Sequence, residues 1–421
     1  MFLNIDAGEL DDEPEAFFAL AQVVNIACGG HAGDDASMGR ALERCARLGA
    51  APGAHPSFED REHFGRRRLE VAPEVLRAQV AGQCARLRAL AEPGGQRVAW
   101  VKPHGALYHA ANEAPALAEA VVGGAVDGLG RELTVLGPPR GALREAAVRA
   151  GLRFAREGFA DRGMRPDGSL VPRGEPGALL EDPARARAQA TRLVLGRGVD
   201  TLCVHGDTPG AVAIAEQARR VVDAELVALG DGAVRLALPS GSEPSAVLEA
   251  LRRSPEVTDV VVTERHAAFY FHPLRPPEDP LGALERARDI SPPTPMQHRV
   301  RVRYDGLDLD EVARRAGRSR AEVIELHAGG EYRVQVIGFL PGFAYLGDLP
   351  EPLRQPRLGS PRPRVPRGSV AVAGRHTAIY PLDSPGGWNL IGTAVGFTPF
   401  HPDQGAVWAL GDRVRFMPEA P

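Results

Sequence analysis

The chain has 421 residues, 44% hydrophobic and 25% charged, with a formal net charge of −4. A single core stops growing near ~250–300 residues, so two or three domains are expected. The charge balance gives no electrostatic reason to expect nucleic acid or anionic lipid as a partner, and no stretch offers the ~20 apolar residues of a membrane helix.

From residue 1 to about 223, short apolar runs alternate with helical stretches. The runs are Phe2 to Asp6, Val23 to Cys28, Ala51 to His55, Val98 to Lys102, Leu133 to Gly137, Leu152 to Phe159 and Thr201 to His205. Between them, Met38, Ala41, Leu42, Cys45 and Leu48 keep helical spacing, as do Val75, Leu76, Val80, Leu87 and Leu90. Seven strands alternating with helices predict a parallel α/β sheet or barrel, in which ligands gather at the carboxyl ends of the strands. Those ends carry Asp6, His31, His55, Lys102 with His104, Asp161, and His205 with Asp207. Met1 to Asp6 leads straight into structure without a basic, apolar leader, and a cytoplasmic protein is expected. The four cysteines have no Cys-x-x-Cys spacing, so no disulfide framework is implied.

The rhythm then changes. Strand-like Leu226 to Leu238, helical Pro244 to Arg253, strand-like Val257 to Thr263 and Ala267 to His272, and helical Leu281 to Ala287 predict a small α+β part. Ser291-Pro292-Pro293-Thr294-Pro295 reads as a stiff linker. From His298 onward, short β-runs broken by glycine and proline, with one helix around Leu309 to Leu326, predict a barrel-like β domain. The expected domains are 1–223, 224–296 and 297–421.

Several clusters carry candidate chemistry. Of fifty basic residues one is a lysine, Lys102, and a lysine can be tuned by burial where an arginine cannot. Asn4-x-Asp6-x-Gly8-Glu9 sets an amide and two carboxylates at a strand end, an arrangement equally common as a capped turn. In Asn25 to Asp34, paired glycines precede His31 and let backbone approach a ligand. Lys102-Pro103-His104-Gly105 and His205-Gly206-Asp207 are polar strand exits with proton-transfer groups. A divalent metal could use Asp6, His31 and His55, though no His-Glu-x-x-His spacing occurs. Arg66-Arg67-Arg68 reads as a solvated basic surface, and Phe159 to Arg162 followed by Pro166 to Arg173 as a lid hairpin. Farther on, Arg362, Arg364, Arg375 and Trp388 stand among loop-forming glycines and prolines, where arginines could bind carboxylate or phosphate. No Gly-x-x-x-x-Gly-Lys occurs, which excludes a Walker-type ATP loop.

Together these segments resemble two families joined end to end. Leu3 to Glu9, Asn25 to Asp34, Gly53-Ala54-His55-Pro56, Phe64 to Arg67, Val101 to Tyr108, Phe159 to Arg162, Leu170 to Arg173 and Cys203 to Asp207 resemble the LamB/YcsF family, the A component of bacterial 5-oxoprolinase. Gly338 to Phe343, Pro361 to Val370 and Ser384 to Trp388 resemble the KipI, or allophanate hydrolase subunit 1, family, which supplies the B component of the same enzyme. His376-Thr377-Ala378 stands where that family has Gln-Thr-Gly.

The resemblance implies an irregular (β/α) barrel followed by a small α+β domain and a cyclophilin-like β-barrel. It also implies ATP-dependent opening of 5-oxo-L-proline to L-glutamate. ATP would be a co-substrate at a site on or shared with a separate KipA-like protein, the C component, in a larger assembly. Lys102 and His104 would polarise or protonate the reacting group, and Asp6 with Glu9 would activate water. His31, His55, His205 and Asp207 would complete the pocket as proton carriers or metal ligands. Substrate would be met by Asn4, Asn25, Asp161 and Arg162, and in the second half by Arg362, Arg364, Arg375 and Trp388. Two alternatives are a metal-dependent amidase or deacetylase and a KipI-type histidine kinase inhibitor.

Overall fold

A computed structural model describes residues 1–10, 12–165, 169–196, 198–273 and 279–419. They form two compact units, Met1–Ala228 and Leu229–Pro421. None of the helices among the described residues is long and apolar enough to cross a membrane.

In the first unit, seven parallel strands close into a barrel: β1 (Phe2–Ala7), β2 (Val23–Ala27), β3 (Ala51–His55), β4 (Trp100–Val101), β5 (Thr134–Gly137), β6 (Arg153–Phe159) and β7 (Thr201–His205), with β7 returning to β1. These are the seven runs expected, although the fourth is only two residues long. Period-2 alternation sets the strand faces. Leu3 and Ile5 are buried with Val24, Ile26, Leu202 and Val204, whereas Asn4 and Asp6 share the other face with Asn25 and Thr201. Register brings the polar exits level, with Asp6 opposite Asn25 on one side and His205 on the other. The first long helix, Asp35–Leu48, begins at a capping box of Asp34 and Ser37 and stops at Gly49.

The second unit contains antiparallel strands Ala233–Ala237, His266–Phe271 and Val257–Val262, with helices Pro244–Arg252 and Pro280–Arg286. Its second feature is a closed seven-strand barrel that follows the order Gln297–Arg303, Asn389–Val395, Ser369–Ala373, His376–Ile379, Ala344–Gly347, Glu331–Ile337 and Arg413–Pro418. The small α+β part and this barrel fall in the same compact unit.

Two elements differ from expectation. The single helix expected near Leu309 to Leu326 is two, Leu309–Ala316 and Arg320–Ala328. Gly317 ends the first at φ 63°, and Ser319 with Glu322 caps the second, a Ser-x-x-Glu signature legible in the sequence. The run Leu226 to Leu238 is likewise two strands, Val227–Ala228 and Ala233–Ala237, broken at Gly230 with φ 68°.

Candidate active site

The carboxyl rim of the first barrel holds a cavity of about 430 Å³, within the usual range for a small-molecule site. Asp6, His55, Lys102, His104, Phe159 and His205 line its base and walls. Arg66, Arg162, Leu170, Val171 and Arg173 also line it. In the stretch expected as a lid hairpin, Met164 bridges Leu170, and Arg162 donates to Ala178 O and Val171 O. Residues 166–168 of that expected hairpin lie outside the described residues. Arg66, expected as solvated surface, pairs instead with Asp207, which Arg173 also grips at 2.8 Å.

Lys102 is buried, its Nζ 2.9 Å from both Asp6 oxygens, 2.9 Å from Glu157 Oε1 and 3.0 Å from Cys203 Sγ. Burial works to lower its pKa, but Asp6, Cys203 and Glu157 together hold it well above the ordinary lysine range. It is therefore a fixed positive charge rather than a proton shuttle. Burial likewise works to raise Asp6, and the attraction of His55 and Lys102 holds its carboxyl well below the ordinary range. Such a carboxylate is a weak base, contrary to the role expected for it in activating water. Asn25 also donates to Asp6, at 2.9 Å.

Beside this group stand Glu9, His31, His55 and His104. A buried Glu13 accepts from the backbone N–H of Gly8, Glu9 and Leu10, which shapes the turn after β1. Glu9 Oε1 then reaches His31 Nε2 at 3.0 Å and His104 Nδ1 at 3.1 Å. Burial, with His104 nearby, pushes the His31 ring down to about 3, and burial also lowers His104. Close packing demands glycine here. A Cβ on Gly65, at φ 65°, would lie 2.8 Å from His31 Cβ.

On the other wall His205 Nδ1 lies 3.0 Å from Asp161, which also accepts from His205 N and Thr208 Oγ1. Burial lowers an imidazole, but Asp161 outweighs it and raises His205. The ring stacks on Phe159 at 5.4 Å.

The strand-exit residues thus converge. Asn4 and Asn25, expected at substrate, are fully buried among protein partners. Asn4 spans to Thr201 and Leu202 of β7, and Asn25 positions Asp6. His109, off the strand ends, nevertheless lines the cavity. In the second unit Arg362 pairs with Asp308 at 2.6 Å, Arg364 with Asp383 and Arg375 with Asp348. These arginines are each matched by a different carboxylate, and Trp388 is buried in an apolar cluster with Phe343 and Tyr380.

Sequence reasoning passed over Glu157, Cys203 and Glu13. The first two carried a signal: Glu157 is a lone carboxylate two positions before Phe159 in an apolar strand, and Cys203 shares a strand face with His205.

Residues 3–233 match the family described as LamB/YcsF. The chain belongs to the LamB/YcsF family. Residues 224–407 match the carboxyltransferase domain, subdomain C and D, so the second unit is carboxyltransferase-like. Among curated relatives, a 5-oxoprolinase A component of Methylococcus capsulatus is 43% identical over 234 residues, 52% of this chain and 90% of that protein. One from Nocardia farcinica is 45% identical over 239 residues, 53% of this chain and 94% of that protein. A crystal structure of a lactam utilization protein from Thermus thermophilus is 33% identical, covers 53% of this chain and 95% of that chain, and has a TM-score of 0.49. This LamB/YcsF chain therefore carries a carboxyltransferase-like unit on the same polypeptide.

Proposed function

We propose that this chain is part of an ATP-dependent 5-oxoprolinase, opening the lactam of 5-oxo-L-proline to L-glutamate together with a separate KipA-like C component. The observation that carries the reading is the buried Lys102 ammonium at the base of a small-molecule cavity whose rim presents Arg66, Arg162 and Arg173. Relatives named as the A component of 5-oxoprolinase, at 43% and 45% identity across the barrel unit, support the substrate. On this reading the second unit acts as the KipI-like B component, supported by the carboxyltransferase match over residues 224–407.

A lactam is resonance-stabilised and its nitrogen leaves poorly. Transfer of the γ-phosphoryl group of ATP to the amide oxygen gives an imidate-like ester and ADP. Water then adds to the ring carbon, the carbon–nitrogen bond of that adduct breaks to leave a γ-glutamyl phosphate, and a second water releases phosphate and glutamate. Rim arginines hold the substrate carboxylate; Asp207 offsets one of the three positive charges. Lys102 stabilises negative charge growing on oxygen as a preorganised positive charge. His205, kept basic by Asp161, delivers the proton that the departing nitrogen requires.

The test is release of ADP and glutamate dependent on 5-oxoproline, measured with this chain alone, the cognate KipA-like protein alone, and both. Turnover is expected only from the mixture. Full turnover by the isolated chain would place the ATP site here, and ATP-independent amide cleavage would favour a deacetylase or amidase.

A further inference from the structure

The geometry points to a three-ligand site for a divalent, borderline-soft cation such as zinc, nickel or cobalt, formed by Glu9, His55 and His104. Where the ring hydrogens sit decides this. A backbone carbonyl only accepts, so His55 Nδ1, 2.7 Å from Lys102 O, and His104 Nε2, 3.0 Å from Phe64 O, each carry the hydrogen. The lone pairs of the neutral rings then fall on His55 Nε2 and His104 Nδ1, 2.9 Å apart. Glu9 Oε1, a third acceptor, is 3.1 Å from His104 Nδ1 and 3.7 Å from His55 Nε2. Three lone pairs face one another with no hydrogen among them, and a cation resolves the conflict.

The spacing suits such an ion. Tetrahedral ligands at ~2.0–2.1 Å from zinc stand about 3.3 Å apart. The three edges here, 2.9, 3.1 and 3.7 Å, bracket that value. The carbonyl bonds on the far ring nitrogens are the outer contacts that orient metal-binding imidazoles.

Two neighbours are excluded as ligands. His31 stacks on His104 with centroids 3.6 Å apart and planes 1° from parallel. A metal lies in the plane of each imidazole that binds it, and two parallel planes share no point. His31 instead donates to Glu9 Oε1 at 3.0 Å and positions it. Both Asp6 oxygens are held by the Lys102 ammonium. Three protein ligands leave a fourth position, and His55 and His104 both line the cavity, where a small molecule or water could take it.

Metal uptake is read without substrate, so this inference stands or falls apart from the lactam reading. The full chain, stripped by chelator and titrated with cobalt(II) at neutral pH, is expected to take up one ion with the intense visible absorption of four-coordinate cobalt, displaced by zinc. NMR of the cobalt form should show two hyperfine-shifted exchangeable imidazole protons, from His55 and His104. His55→Ala and His104→Ala should abolish stoichiometric uptake, whereas His31→Gln should weaken it about 10–100-fold. Failure of the unmutated chain to bind cobalt would overturn the proposal and leave an added proton between the rings. A third shifted imidazole proton, or loss on His31→Gln as severe as on His104→Ala, would overturn the three-ligand set. The proton count uses the unmutated chain, so it decides the ligands even where a variant misfolds.

Discussion

His31 in the first barrel and His327 in the second unit are both buried, and burial pushes both rings down to about 3. Their partners differ. His327 uses both nitrogens, to Tyr304 Oη at 2.8 Å and Thr377 Oγ1 at 2.9 Å, and stacks on Phe416. His31 meets a carboxylate through one nitrogen, stacks on another histidine, and its Nδ1 has no hydrogen-bond partner among the described residues. A displaced pKa therefore does not distinguish a site from a core. What distinguishes them is whether the neighbours are satisfied in pairs or converge on shared space beside a cavity.

The strongest way to break this comparison is at Lys102. Lys102→Met or Lys102→Arg should lower lactam turnover by about 10²–10⁴-fold in the complete assembly, because the guanidinium is too large for a point charge held within 3.0 Å of three partners. Near-normal turnover by Lys102→Arg would show that only charge is needed there.

Paired substitutions sharpen it next. His31→Leu should reduce turnover about 10–100-fold through displacement of Glu9, with the fold retained. His327→Leu should instead destabilise the second unit by about 1–3 kcal/mol, leaving turnover per folded molecule unchanged. Chemical denaturation and single-turnover rates on both variants separate the two roles; loss of turnover in folded His327→Leu would erase the distinction.

A pH experiment follows. His327 has a folded value of about 3 against an ordinary 6.5, so the unfolded chain binds the extra proton between those limits. Its contribution is complete above about 6.5 and is lost as pH falls toward 3, with a slope of up to ~1.4 kcal/mol per pH unit. Stability of His327→Leu measured across that window should fall less steeply than that of the unmutated chain.

The smallest effect is expected at Asp161. His205 is raised, so its charge adds stability below the ordinary histidine value, and this is lost as pH rises through the folded one. Asp161→Asn removes that attraction and should move the alkaline limb of kcat/KM to lower pH. An unmoved limb would exclude His205 as the proton donor.

Much of the first barrel was legible because strand and helix periods are local. Seven apolar runs gave seven strands, and their polar exits gave His31, His55, Lys102, His104 and His205. The Ser-x-x-Glu cap at Ser319 was equally local, and it marks the helix break that a continuous apolar pattern concealed. Pairing was not local. Lys102 finds Asp6 across 96 positions and Cys203 across 101, and only closure of β7 onto β1 brings His205 level with Asp6. The same closure buried Asn4 and Asn25 as supports and made Glu157 a counter-ion. In the second unit, folding matched Arg362, Arg364 and Arg375 with separate carboxylates. Sequence by itself determined which residue types stand at each strand end, since that depends on neighbours one to four positions away. Which charges meet, and which imidazole nitrogen keeps its lone pair, depended on distances set by barrel closure, and tertiary structure alone decided them.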